Sequence, residues 1–421
     1  MSEPWPAPTA ARPVDGEAVL PGSKSQTNRA LLLAALSTGP ATIHRPLRSR
    51  DTLLMVAGLR VLGTRIDDAD EGAWRVTPAP LRGGGQVDVG NAGTVMRFLP
   101  PVATLAEGTV AFDGDLRARD RPLAEVIGAL RALGADIRAE GARLPLVVHG
   151  RGWLQGGRVT IDASQSSQFV SGLLLAAPRF ADGLELRHQG GRVPSAPHVA
   201  MTVAMLHEAG AIVEHVEAHV WRVEPGPLAP VERTIEPDLS NAAPFLAAAL
   251  ATGGTVRVPG WPENGLQPGP AILGVLSGMG GRWEAAESGI TFSGDGGVHG
   301  IDVDLSDLPE LATTVAALAV LADSPSRLRG LAHLRGHETD RLAALASELT
   351  GLGGHVTETD DGLLVEPAPL HGGLFRTYDD HRLATAAAVI GLRVPGVLVE
   401  DVATTAKTLP GFPERWTGLV G

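Results

Sequence analysis

The sequence predicts an α/β protein of two similar domains, each built from three β-α-β-α-β-β repeats. Three observations predict it. Gly58-Leu59-Arg60-Val61-Leu62-Gly63 returns as Ala129 to Gly134, Met205 to Gly210, Val275 to Gly280 and Glu348 to Gly353, with closing glycines 71, 76, 70 and 73 residues apart. Between these copies, polar clusters lead into Ala-rich runs at Ser23 to Arg29, Asn91 to Thr94, Ser164 to Gln168, Asp238 to Asn241, Asp307 to Glu310 and Asp379 to Arg382. Only 8 Phe and 1 Tyr accompany a 44% hydrophobic content, so Ala, Leu and Val must fill the cores, which favours regular helix and sheet layers.

Each copy of the phrase reads as a helix stopped by glycine at its C′ position and followed by β structure. Two strands are expected after each, as in Pro145-Leu146-Val147-Val148 and Arg158-Val159-Thr160-Ile161-Asp162. The Ala-rich helices give way to strands such as Val110–Phe112, Thr255–Val258 and Val397–Val399. Solenoid repeats usually run about 20 to 50 residues, so this longer period points to a few units in a globular arrangement. The sixth unit is discontinuous. Its last helix, near Phe412 to Leu419, reaches the chain end, so Arg12 to Leu20 is expected to supply its missing strands.

This connectivity predicts one domain over residues 21–235 and a second that joins 12–20 to 236–421, with the active site in the cleft between them. Crossings near Leu20 and Glu236-Pro237 would form the hinge. Met1 to Arg12 are rich in Pro and Ala, and residues 1–11 are read as a disordered tail.

Composition narrows the function. The chain has 421 residues, long for one core, and no Cys, which removes disulfides, thiolate metal sites and cysteine nucleophiles. A net charge of −12 argues against nucleic-acid and anionic membrane partners. No run reaches the roughly 20 apolar residues of a membrane helix, and the N-terminus lacks the apolar core of a signal peptide. A cytoplasmic enzyme or binding protein is expected, with no metal, no cofactor and a monomeric state.

Pro21 to Arg29 carries Lys24, Ser25 and Arg29 just before an apolar helical run, a place where free N–H groups and the helix dipole favour an anion. It is not a nucleotide P-loop, because the Gly-Lys-Ser core is broken into Gly22-Ser23-Lys24-Ser25. A capped helix explains the same residues equally well. Further cations, Arg97, Arg121, Arg341, Arg382 and Lys407, stand at or near expected helix starts, where the dipole disfavours them. One such residue is ordinarily a solvated salt bridge; a series in equivalent positions of a repeat implies anionic ligands. Glu310 and Glu338 sit among them, with capping or intrahelical pairing as the competing explanation. His381, between Asp380 and Arg382, is either a proton-transfer group or a hydrogen-bonded core residue. Ser166, Ser167, Gln168 and Ser195 offer neutral donors suited to hydroxyls or phosphate oxygens.

Pro21 to Arg29, Asn91 to Arg97, Arg119 to Pro122, Ser166 to Gln168, Glu338 to Leu342, Asp379 to Arg382 and Thr405 to Thr408 together resemble the enolpyruvyl transferases. The resemblance covers the chain beyond the tail. It implies that family's fold, an inside-out α/β barrel in each of two domains that close on substrate. It also implies transfer of the enolpyruvyl group of phosphoenolpyruvate to the 5-hydroxyl of shikimate 3-phosphate, with glyphosate as inhibitor. Carried over, Lys24, Ser25, Arg29, Ser166, Ser167, Gln168, Ser195, Glu310 and His337 would hold shikimate 3-phosphate. Lys24, Gly93, Arg121, Gln168, Arg341, His381, Arg382 and Lys407 would hold phosphoenolpyruvate. Glu310 would be the base for the hydroxyl and Glu338 the acid for the methylene carbon, with Lys24 and His381 assisting phosphate departure.

The chain departs from the family pattern at Glu310 for Asp, His198 for Tyr, His337 for Lys, His333 for Asn and Phe98 for Pro. The related transferase that acts on UDP-N-acetylglucosamine is the alternative weighed. It typically uses a Cys acid and has Asn after the first Lys, whereas this chain lacks Cys and reads Lys24-Ser25. A non-catalytic anion-binding protein on the same fold would be expected to lose Lys24, Glu310 or Glu338, and all three are present.

Overall fold

The computed structural model describes residues 3–70 and 72–421. The chain divides into two compact units: Gly22–Ile235, and the described residues up to Pro21 together with Glu236–Gly421.

Within Gly22–Ile235, three four-stranded sheets repeat one pattern of a parallel pair followed by two antiparallel neighbours. Gly85–Asp88 runs parallel to Glu107–Asp113, which pairs antiparallel with Leu146–Arg151 and so leads to Asp136–Ala139. Gly157–Ile161, Leu184–His188, Val220–Val223 and Val213–Glu217 follow the same order. In the first sheet the parallel strand is Arg233–Thr234, from the end of the unit, beside Ala41–His44. Gly157–Ile161 therefore opens the third sheet and does not close the second. A hydrophobic stretch alone does not say which side of a turn its partner lies on.

The other unit repeats the pattern with Asp15–Glu17 parallel to Thr255–Pro259 and with Asp302–Asp304 parallel to Ser326–Arg329. The N-terminal strand thus completes the fourth sheet, where the sequence reading put it in the sixth. The sixth sheet has three strands, Gly373–Phe375, Val397–Val399 and Trp5–Pro6. The supposed tail is therefore ordered from residue 3 onward, while Met1 and Ser2 lie outside the described residues. Trp5 sits edge-on to Phe412 with ring centroids 6.3 Å apart, and Ala7 is buried. Proline is tolerated there because an edge strand need not donate every ladder bond.

Each unit holds three core helices: α1 (Lys24–Leu36), α2 (Gly93–Ala103) and α3 (Ser167–Ala176) in the first, α4 (Leu239–Thr252), α5 (Ala312–Ala319) and α6 (His381–Gly391) in the second. They are buried nearly all round, which is why they read as apolar throughout instead of as one apolar stripe. Small residues let them approach: a Cβ on Gly172 of α3 would lie 2.4 Å from the Arg97 carbonyl of α2. Each fully buried leucine, such as Leu31 or Leu32, contributes roughly 1.5–3 kcal/mol.

The five closing glycines all take positive φ: Gly63 (98°), Gly134 (98°), Gly210 (82°), Gly280 (111°) and Gly353 (94°). In each copy the following amide donates back into the helix, as Thr64 does to Leu59 and Gly354 to Leu349. The repeated phrase is thus one C-cap used five times, at a conformation that costs glycine no Cβ clash.

Candidate active site

In Gly22–Ile235 the starts of α1, α2 and α3 lie together. Asn28 Nδ2 of α1 donates to Thr94 Oγ1 of α2 at 2.7 Å. Arg97 Nη1 of α2 donates to Gln168 Oε1 of α3 at 2.8 Å, and its Nη2 donates to the Pro122 carbonyl at 3.0 Å. Arg121 Nη1 donates to the Asn91 carbonyl at 2.7 Å and to Asn91 Oδ1 at 3.0 Å. Gly93 faces all three groups: a Cβ there would stand 2.8 Å from Gln168 Oε1, 2.9 Å from Arg121 Nη2 and 3.0 Å from Arg97 Nη1. Three helix dipoles and two buried guanidinium groups make this a place for an anion.

Lys24 opens α1 behind Ser23, whose hydroxyl caps the Gln26 amide at 3.4 Å. Its Nζ lies 3.2 Å from Asp51 Oδ2, a buried carboxylate. Arg29 is almost fully buried and donates to Thr202 Oγ1 (2.7 Å), the Ser25 carbonyl (3.0 Å), the His198 carbonyl (3.1 Å) and Ser171 Oγ (3.2 Å). None of these acceptors is a carboxylate, and burial pulls the guanidinium down to about 9. Phe98, the departure from proline, lies under it at 5.3 Å. Arg29 thereby ties the first turn of α1, which carries Ser25, to the helix start that carries His198. Ser166 caps α3 through the Gln168 amide, and Ser195 precedes its helix in the left-handed region at φ 53°. All three serines, Ser166, Ser167 and Ser195, are buried.

In the other unit, cations and carboxylates alternate. Arg341 Nε donates to Asp380 Oδ2 at 2.7 Å, and its Nη2 reaches Asp380 Oδ1 at 3.2 Å and Glu338 Oε2 at 3.1 Å. Arg341 Nη1 lies 3.5 Å from Glu310 Oε2, Arg382 pairs with the same carboxylate, and Lys407 Nζ lies 3.1 Å from Glu338 Oε1. Asp380 is completely buried and caps α6 through the Arg382 amide at 2.9 Å. His381 is buried with Nδ1 3.8 Å from Asp380 Oδ1, and His337 Nδ1 lies 3.4 Å from Arg341 Nη1.

These contacts set the charges. Burial pushes the Glu310 carboxyl up, but Arg382 and Arg341 outweigh it and hold the group well below the usual carboxylate range. Burial pulls the Arg341 guanidinium down, and Asp380, Glu338 and Glu310 more than restore it. Burial and then Arg341 hold His337 well below its ordinary value. Burial pulls His333 down to about 4, with Glu310 opposing and Arg341 adding. At neutral pH His337 is therefore a neutral polar group where the family pattern has a lysine.

A pH prediction follows from His333. The unfolded imidazole titrates near 6.5 and binds a proton that the folded ring refuses until about pH 4, so its contribution to stability is complete above 6.5 and is lost as pH falls toward 4. Thermal unfolding across that window should show the loss, and His333→Asn should make it shallower, the rest coming from His337, which is depressed in the same sense. An identical slope in the variant would remove His333 as the cause.

The cations do not all sit at helix starts. Lys24, Arg341 and Arg382 do, whereas Arg97 lies in the second turn of α2, Arg121 follows the short helix Leu116–Asp120, and Lys407 ends the 3-10 turn Val402–Lys407. Glu310 lies in the 3-10 turn Pro309–Leu311 ahead of α5. Among the described residues, no group of three or more His, Cys, Asp or Glu side chains is arranged to hold a metal ion. Nor is any helix there long and apolar enough to cross a membrane.

The family model for EPSP synthase (3-phosphoshikimate 1-carboxyvinyltransferase) matches residues 8–416. The chain belongs to the EPSP synthase family. A 3-phosphoshikimate 1-carboxyvinyltransferase of Kocuria rhizophila is 55% identical over 429 residues, covering 99% of this chain and 96% of that protein. Two solved structures of EPSP synthase from Acinetobacter baumannii share the fold, with TM-scores of 0.81 and 0.79 at 23% identity. The first covers 99% of this chain and 98% of its own, the second 98% and 97%. The enolpyruvyl transferase fold expected from the sequence is thus the fold observed.

Reading the EPSP synthase motifs as sequence left Asp51, Asn91 and Asp380 without roles and gave Arg97 only a general one. Each now has a contact that orients a candidate ligand-binding cation or amide. Asp380 carried a signal, an Asp immediately before a helix that starts with His and Arg. Asp51, 27 residues from Lys24, carried none.

Proposed function

We propose that this transferase moves the enolpyruvyl group of phosphoenolpyruvate to the 5-hydroxyl of shikimate 3-phosphate, giving 5-enolpyruvylshikimate 3-phosphate and phosphate. That places it in the shikimate pathway of chorismate and aromatic amino-acid biosynthesis, as a cytoplasmic monomer that needs no cofactor. The observation that carries the reading is the alternation of Glu310 and Glu338 with Arg341, Arg382 and Lys407, supported by family membership. The reaction adds a hydroxyl across a double bond between two anions, so it needs carboxylates for proton transfer beside cations for the anions. The UDP-N-acetylglucosamine alternative is not favoured, because the matching family model is the shikimate one.

The 5-hydroxyl oxygen bonds to C2 of phosphoenolpyruvate as Glu310 takes the hydroxyl proton, and Glu338 delivers a proton to C3. The resulting tetrahedral adduct loses phosphate, with Lys24 and His381 favouring its departure, while Glu338 removes a methyl proton to restore the double bond. Lys24, Ser25, Arg29, Ser166, Ser167, Gln168, Ser195 and His337 hold shikimate 3-phosphate. Lys24, Gly93, Arg121, Gln168, Arg341, Arg382 and Lys407 hold phosphoenolpyruvate. In the protein alone Arg341, Arg382 and Lys407 are satisfied by Glu310 and Glu338. Donor anions that take over these cations release both carboxylates for proton transfer, so binding and activation are coupled.

Phosphate release from the two substrates tests the reading: release well above background is expected, and none from folded protein would overturn it. Glyphosate should inhibit. Gly93→Ala should raise KM for phosphoenolpyruvate about 10-fold or more and weaken glyphosate, because its Cβ displaces the far ends of Gln168, Arg121 and Arg97. An unchanged KM would show that those ends give way without cost.

A further inference from the structure

Resting on that function, we propose that His188 is a positioning residue for shikimate 3-phosphate, the strut that sets the spacing between the helix start of Ser166 to Gln168 and that of Ser195. His188 ends the strand Leu184–His188 and is 7% exposed. Its Nδ1 accepts the Ala163 amide at 3.0 Å, and its Nε2 lies 2.6 Å from the Gly191 carbonyl. A carbonyl only accepts, so Nε2 carries the proton and Nδ1 carries the lone pair; the two backbone partners together require the neutral ring.

Both contacts lead directly to candidate ligand groups. The Ala163 carbonyl accepts the Ser166 amide at 3.1 Å, so the residue gripped by the ring through its amide is the one whose carbonyl seats the cap of α3. On the other side Gly191 begins the short loop through the buried Val193 to Ser195. The loops are also laced outside the ring: Gln189 donates to the Ile161 carbonyl at 2.9 Å, and a Cβ on Gly190 would stand 2.4 Å from Asp162 Oδ1. The His188 amide donates to the His219 carbonyl at 2.9 Å, which fixes the strut at its base. The lacing brings the loops together; the imidazole bridge, with an acceptor at one nitrogen and a donor at the other, sets their separation. Neither loop is long enough to wander far, so the ring's effect falls on hydroxyl placement more than on folding.

The test compares His188→Phe, which keeps ring volume without either polar atom, with His188→Asn, whose Oδ1 can occupy the Nδ1 position. For His188→Phe, KM for shikimate 3-phosphate should rise about 10-fold, the scale of one or two net hydrogen bonds, with a smaller rise in KM for phosphoenolpyruvate. His188→Asn should recover only the part that runs through Ala163 to Ser166, leaving a residual rise in KM for shikimate 3-phosphate from the lost Gly191 contact. Equal KM values across the series, or both KM values rising together in step with a fall in Tm, would overturn the proposal. Absence of turnover in the unaltered protein would instead overturn the function on which it rests.

Discussion

Replacing Glu310 with glutamine is expected to lower kcat about 100-fold or more while leaving the fold intact. Glutamine keeps the shape and one acceptor oxygen, so Arg382 and Arg341 retain a partner, but it cannot take the hydroxyl proton. The side chain is 30% exposed, and its loss of charge leaves no closed cavity. The reading also predicts a dependence on the donor. Because Arg382 and Arg341 depress the Glu310 carboxyl, it becomes an effective base only when donor anions occupy those cations. Single-turnover kinetics with both substrates should therefore show the defect in the chemical step, with substrate dissociation constants changed much less. A variant with unaltered single-turnover rate would remove Glu310 from the base role.

Asp380→Asn should have the largest effect on stability. Asp380 is the fully buried partner of Arg341, and the amide would turn an N–H toward a guanidinium that has no use for a second donor. Breaking a buried pair costs about 3–5 kcal/mol, and the lower end applies because Glu338 and Glu310 still face Arg341. The α6 cap survives, since asparagine can accept from the Arg382 amide. Thermal unfolding should fall by roughly 6–12 °C, the equivalent of that loss in a domain of this size. A shift below about 1 °C would mean that Glu338 and Glu310 compensate Arg341 by themselves.

The architecture was legible in the sequence to the extent that it rests on local chemistry. The helix-stopping glycine is a φ requirement of a single residue, so its five copies could be counted before any contact was known, and all five take the left-handed conformation. The cations were less legible: they were grouped by expected helix starts, which Lys24, Arg341 and Arg382 occupy, whereas Arg97, Arg121 and Lys407 lie elsewhere. Strand partnership was not legible. Arg233–Thr234, Asp15–Glu17 and Trp5–Pro6 are two or three residues long, and each closes a sheet begun far away in the chain. Nothing local distinguishes such a strand from a linker; the open edge that receives it does.

The stretch from Lys24 to Arg29 divides along the same line. As sequence it stood equally for a capped helix and an anion site, and the cap is real, made by Ser23. Tertiary structure alone decided that Lys24 faces Asp51 and that Arg29 is buried among neutral acceptors with Phe98 beneath it. The physical reason is range. Caps, turns and charge placement are settled within a few residues, whereas the partner of a buried charge is chosen by packing between segments that the sequence holds 27 to 173 residues apart.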